Sequence, residues 1–224
     1  IVFLDDSNIS DYIDLSNILP PEQRSRFPAA YSDVLRIALM RKYGGVWADS
    51  TVFCNKPLDD WIHDVTGESD AWLYYRQECS VASWFISANV GSYVIETWYN
   101  EVKSYWKDRM AGKDWMPGEY RWFHYLFHNL RKKDSRFEEV FSNWTRIDST
   151  SFMPKFSPPA TKEFPYYSRG LTASYFIPYA KHLNEELTPS IQERLDSKVD
   201  AMYKLNNNYQ IEWRKPNTSI RHLI

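Results

Sequence analysis

The sequence predicts an α/β fold, a sheet layered with helices, on three observations. Segments of helical apolar periodicity and β-rich runs interleave through the first two thirds of the chain, where a bundle or a sandwich would keep one type. No internal repeat or low-complexity block interrupts them, which leaves one continuous domain over residues 1–224, with a core to about residue 150 and a C-terminal extension over 151–224. At 224 residues, 43% hydrophobic and 25% charged, the chain can bury a sizeable core.

The elements follow in order. Val2 to Leu4 reads as the end of a strand, so the chain is expected to begin inside an element, with a segment before it. Ser10 to Leu15 reads as a short helix. Ala29 to Lys42 has the helical period and stops at Gly44-Gly45, the place for a left-handed cap. Val46 to Cys54 is β-rich, and Asp70–Arg76 and Val81–Ala88 read as a hairpin joined through Gln77 to Ser80. Ser92 caps a helix to about Lys107, in which Val94, Ile95, Trp98, Val102, Tyr105 and Trp106 recur at three- and four-residue steps. Further helices are expected over Glu119–Arg131 and Ser135–Phe141, and Pro154 to Pro165 reads as a linker or long loop.

Composition narrows the function classes. Lys and Arg number 27 against 29 Asp and Glu, a net charge of -2 that offers no electrostatic track for a nucleic acid. A mean hydropathy of -0.57 excludes a membrane span, though contact with a membrane surface stays open. The two cysteines, Cys54 and Cys79, are too few for a disulfide framework or a structural zinc site, and point to a reducing, cytoplasmic setting. Aromatics at 17% suit a large core and also stacking surfaces for sugar or base rings.

The chemistry gathers in Tyr31 to Pro57. On a helix, Tyr31, Val34, Leu35, Ala38 and Leu39 form one stripe, while Asp33, Arg36, Ile37 and Met40 lie on the other side. Asp33 and Arg36, one turn apart, can pair with each other as ordinary surface residues do, or jointly grip a polyhydroxylated ligand. Gly44 and Gly45 permit close backbone approach, and Trp47, Asp49, Thr51 and Phe53 would share one face of a following strand. A carboxylate there suits a divalent cation held against a diphosphate, or simply a turn.

These residues carry a resemblance. Ser32-Asp33-x-x-Arg36, then Tyr43-Gly44-Gly45-Val46-Trp47-x-Asp49-x-Thr51, then Pro57-Leu58 resembles the signature of the capsular-polysaccharide-synthesis glycosyltransferases, relatives of sugar transferases with a DXD motif. The lead-in from Val2 to Leu15, the aromatic segment Glu119 to Leu130 and Met202-Tyr203-Lys204-Leu205 match more loosely. The resemblance implies a GT-A fold, a Rossmann-like mixed sheet flanked by helices, whose first strand would precede Ile1. It implies a nucleoside-diphosphate-sugar donor, a UDP-sugar first, and a glycan or lipid-linked oligosaccharide acceptor. Asp33 and Arg36 match positions that hydrogen-bond the donor sugar, beside Ser32, Tyr43, Gly44, Gly45 and Trp47. Asp49 matches the first acid of the DXD, and Thr51 replaces the second, a poorer ligand for Mn²⁺ or Mg²⁺.

Further candidates lie outside that block. Glu119, with Asp114 as alternative, is the candidate general base of an inverting reaction. Tyr120 and His124 are candidate acceptor-binding residues. His124 and His128 stand at i,i+4 without the glutamate of a zinc helix, which favours packed or acceptor-site histidines. His182 is a candidate last metal ligand. The competing class is a non-catalytic carbohydrate-binding module, and a glycoside hydrolase would need two carboxylates across a cleft.

Overall fold

The structure, a computed structural model, describes residues 2, 4, 5, 7–20, 23–50, 52–54, 56–76, 80–113, 121–147, 189, 193, 196 and 202–204. The helices are α1 (Ile9–Tyr12), α2 (Pro28–Tyr43), α3 (Ile62–Thr66), α4 (Tyr93–Met110), α5 (Trp122–Lys133) and α6 (Ser135–Ser142). The strands are β1 (Gly45–Ala48), β2 (Val52–Cys54), β3 (Ala71–Arg76), β4 (Ser80–Ala88) and β5 (Met202–Lys204). The chain divides into two compact units, one of residues 1–47, 69–73 and 79–143, the other of 48–68, 74–78 and 144–224. The α/β class is as expected. The described strands form a small antiparallel sheet in the order β1-β4-β3 and a separate pair, β2 with β5.

In the first unit β4 is central, and α2 and α5 both pack on it. Six of its nine residues are apolar, the other three are serines, and all but one of the nine are buried, as a strand covered on both faces requires. Asp70 ties the hairpin to the next helix: its carbonyl accepts from Asn89 N–H (2.8 Å) and its Oδ2 from Tyr93 N–H (2.6 Å). The six apolar residues expected to bury along α4 do so, and Ser92 Oγ accepts from Ile95 N–H at 3.3 Å. Trp98 stacks on Phe123 at 4.0 Å and donates Nε1–H to its carbonyl at 3.1 Å, and Phe127 meets Phe137 and Phe141 edge-on. Most of these rings are core, and each is worth about 1.5–3 kcal/mol of burial.

In the second unit Trp61, Ile62 and Val65 are buried around a 3-10 turn at Leu58–Asp60 and α3, while Tyr75 N–H donates to Ile147 O at 2.8 Å. β2 and β5 pair antiparallel, Val52 opposite Lys204, Phe53 opposite Tyr203 and Cys54 opposite Met202.

Two expectations are corrected. Val2 and Leu4 are not in a strand; the chain there is turned by Asp5, whose Oδ1 accepts from Ser7 N–H (2.8 Å) and Ser7 Oγ–H (2.6 Å). The run from Val46 to Cys54 is not one strand, because Val52 N–H closes a turn onto Asp49 O at 2.9 Å and separates β1 from β2.

Candidate functional site

α2 opens with Pro28, which has no N–H to lose, and runs to Tyr43 through residues buried on both sides. Its one buried cation is Arg36, 6% exposed. Nη1 donates to Ser83 O (2.7 Å) and Ser83 Oγ (3.0 Å), Nε to Ser32 O (3.3 Å), and Nη2 to Ser32 Oγ (3.1 Å). Nη2 also lies 3.3 Å from Asp33 Oδ1, and the guanidinium sits 5.3 Å from the Trp47 ring centre. Every guanidinium N–H therefore has a protein acceptor, as burial of such a charge demands. The pair is not the ordinary surface pair: its side chains are 8% and 13% exposed.

Gly44 ends the helix, its N–H on Met40 O at 2.9 Å. It lies at φ 62°, ψ −149°, outside the left-handed helical well expected of the cap and in a region open to glycine. A Cβ at Gly44 would stand 2.7 Å from Val90 N and 2.9 Å from Ala88 O, whereas one at Gly45 would meet nothing within 4 Å. Close approach of backbone to β4 explains the first glycine, and a positive φ of 82° the second. Tyr43 is exposed; its hydroxyl donates to Tyr12 O at 2.9 Å, beside Lys42 Nζ on the same carbonyl at 2.6 Å.

The structure thus brings Ser32, Asp33, Arg36 and Trp47 together in the first unit. Asp49 belongs to the second, at the turn before β2, so Trp47, Asp49 and Phe53 do not share one strand face. Asp33 also forms part of the wall of a pocket of about 240 Å³ in the first unit, with Phe27, Tyr105, Trp106, Arg109 and Trp122. Tyr105 and Trp122 stack there at 5.0 Å and 13°. Arg26 reaches the same pocket. Sequence reasoning singled out neither arginine as a site residue, nor Ser83. A signal for Arg26 was present, a cation just ahead of a helix N-terminus, where acids are favoured, whereas Arg109 stands in the last turn of α4, where a cation is ordinary.

His124 is half-buried with its ring edge-on to Phe123, and His128 Nδ1 lies 3.0 Å from Ser80 Oγ. Burial, then Lys132 and Arg131, hold the His128 imidazole below its ordinary pKa. Thr51, Asp114, Glu119, Tyr120 and His182 lie outside the described residues. Among the described residues no three His, Cys, Asp or Glu side chains converge as a cation cage. Nor is any described helix long and apolar enough to cross a membrane.

No curated protein and no solved structure matches the chain. Residues 1–156, which include α2, both glycines, Asp49 and the pocket, match the family model described as capsular polysaccharide synthesis protein. That match spans more than half of the chain, and the protein belongs to the capsular polysaccharide synthesis protein family.

Proposed function

We propose that the protein is a glycosyltransferase of polysaccharide biosynthesis, moving a sugar from a nucleoside-diphosphate sugar, a UDP-sugar first, to a hydroxyl of a glycan or lipid-linked acceptor. The scaffold would be of the GT-A type, with residues 151–224 closing the site, and the setting the cytoplasm at a membrane surface. The observation that carries the reading is Asp33, a largely buried carboxylate at a pocket wall, held by a buried arginine, in a chain of this family.

On this reading Asp33 accepts hydrogen bonds from donor hydroxyls. Arg36, its donors engaged by Ser32, Ser83 and Asp33, is a positioning residue that fixes the carboxylate. The acceptor oxygen bonds to the anomeric carbon as the bond to the diphosphate breaks. Its proton passes to Glu119 if the reaction inverts, or to the departing phosphate if it retains. Mn²⁺ or Mg²⁺, arriving with the donor, would neutralise the diphosphate, with Asp49 and His182 as the side chains to hold it.

The test is transfer itself: the purified chain incubated with UDP-, GDP- and CMP-sugars and glycan acceptors, with and without Mn²⁺, with release of the nucleotide measured. Acceptor-dependent release that Asp49→Ala abolishes, the fold unchanged by circular dichroism, supports the reading. Glycan binding with no release from any donor would move the protein to the carbohydrate-binding class.

A further inference from the structure

α4 buries one side, through Val94, Ile95, Trp98, Val102, Tyr105 and Trp106, and leaves the other in solvent. On the exposed side Lys103, Lys107 and Met110 follow at i, i+4 and i+7, a single stripe over the last turns. The helix then stops in a Schellman turn: Gly112, at φ 74°, donates its N–H to Arg109 O at 3.0 Å, and Lys113 N–H donates to Asp108 O at 2.9 Å. In that motif an apolar residue beyond the turn ordinarily packs back on one inside the helix end. Here those positions are Lys113 and Asp108, and Met110, between them, is left 44% exposed.

The charges at this end are one-sided. Lys103, Lys107 and Lys113 are exposed and form no ion pair among the described residues. The acids of α4 are engaged or turned away: Glu96 pairs with Arg41 and Glu101 with Lys133, each at 2.6 Å. Asp108 falls about 100° or more round the helix from both lysines of the stripe. Arg26 joins the lysines. It is exposed, without an ion pair among the described residues, and lies 5.1 Å from the Phe27 ring centre, which in turn lies 5.6 Å from that of Trp106 on α4. Four cations thus surround one exposed methionine, on a chain whose net charge is -2.

We propose that this end of α4 is the face by which the protein docks on an anionic membrane surface, with Arg26, Lys103, Lys107 and Lys113 among the lipid phosphates and Met110 at the acyl boundary. Attraction to a charged layer needs cations gathered on one face and no preformed cleft. The exposed thioether decides between anionic partners, since it gains from an acyl boundary and gains nothing from a soluble polyanion. The pocket that Asp33 helps to line is bordered by the same helix ends, by Arg26, Pro28 and Ala29 ahead of and at the start of α2 and by Tyr105 and Arg109 of α4. Docking here would bring a lipid-linked acceptor beside it. The inference deepens the proposed setting at a membrane and rests on the transferase reading for that purpose alone.

The experiment sediments the full chain with vesicles of phosphatidylcholine alone and of phosphatidylcholine mixed equally with phosphatidylglycerol. We expect binding to the anionic vesicles only, falling as salt is raised. Each cation at such a surface is worth about fivefold in partitioning, so Lys103→Gln with Lys107→Gln should weaken binding about 25-fold. Lys56→Gln with Lys132→Gln removes the same charge elsewhere and should change it little. Met110→Ser should weaken vesicle binding about fivefold to tenfold. Equal binding to both vesicles, binding to neither, or equal losses in the two lysine pairs overturns the proposal. Tight binding of soluble polygalacturonate without vesicle binding also overturns it, and assigns the face to an acidic glycan. Vesicle binding needs no donor, which keeps the two readings apart. Docking without transfer from any donor would refute only the transferase reading, and transfer by a chain that ignores vesicles would refute this inference alone.

Discussion

Arg36 and Ser83 join α2 to the central strand: the guanidinium Nη1 donates to the main-chain carbonyl of Ser83 at 2.7 Å and to its hydroxyl at 3.0 Å. The same guanidinium grips Asp33 one turn back along its own helix. The carboxylate is therefore referenced to β4 through a cation that is itself fixed, and a shift of the helix on the sheet would shift Asp33 with it. This is how a rigid framework presents one charged group to a pocket without leaving that group's own charge unanswered.

That arrangement predicts a large stability loss on breaking it. Arg36→Ala leaves the Asp33 carboxylate and the Ser83 acceptors without their buried donors, and should cost about 3–5 kcal/mol. Arg36→Lys should also destabilise, since one ammonium cannot reach acceptors spread over three residues. Urea unfolding followed by tryptophan fluorescence measures both. A wild-type midpoint in either variant would contradict the framework role.

Gly44→Ala tests the tight turn into β1. The added Cβ would lie 2.7 Å from a backbone nitrogen that cannot rotate away, at a positive φ that alanine resists. A loss of about 1–3 kcal/mol or more is expected, with Gly45→Ala at the lower end because its Cβ would meet open space. Thermal unfolding of the two variants side by side reads the difference. Equal losses would mean that backbone conformation alone, without the approach to Ala88 and Val90, explains the first glycine.

Much of this was legible in the sequence because the signals were local. The period of α4 and its Ser92 cap, the apolar runs of β3 and β4, and the glycine stop of α2 each rest on neighbours within a few residues. α2 shows the limit. Its apolar residues ring the helix, so periodicity found the helix but could not say that Arg36 would be buried against Ser83, a residue of a strand far along the chain. The pairing of β2 with β5 is equally non-local, and the break at Asp49 is a turn set by one hydrogen bond inside a β-favouring run. At the site, the motif pointed to Asp33 and Arg36. The pocket wall did not stand out, because Tyr105, Trp106 and Trp122 read as core, and core is most of what they are.

His128 gives a pH prediction whose sign follows from its environment. Burial and the cations Lys132 and Arg131 keep its folded-state pKa below the ordinary 6.5, so below that pH the unfolded chain takes up a proton that the folded chain resists. Stability is held above pH 6.5 and falls as the pH drops towards the folded value. In His128→Gln, part of the fall in melting temperature between about pH 7 and 5 should disappear. A slope identical to wild type would assign the acid sensitivity elsewhere, since carboxylates also titrate near the lower end of that range.

Asp33→Asn separates the site from its scaffold. The amide keeps the shape and one acceptor oxygen for Arg36, so the fold should survive with a lower midpoint, yet the anionic acceptor for a donor hydroxyl is gone. If Asp33 orients the sugar in the reacting complex, kcat/KM for the nucleotide sugar should fall by about 10² or more, the scale of removing one charged contact at a reacting centre. The loss should appear with the donor varied and leave KM for the acceptor nearly unchanged. Comparing Asp33→Asn with Arg36→Lys then orders the two roles: the aspartate variant should lose more activity than stability, and the arginine variant should lose both together. If Asp33→Asn keeps donor kinetics within a factor of about two, the carboxylate serves only to neutralise Arg36, and the sugar is held elsewhere.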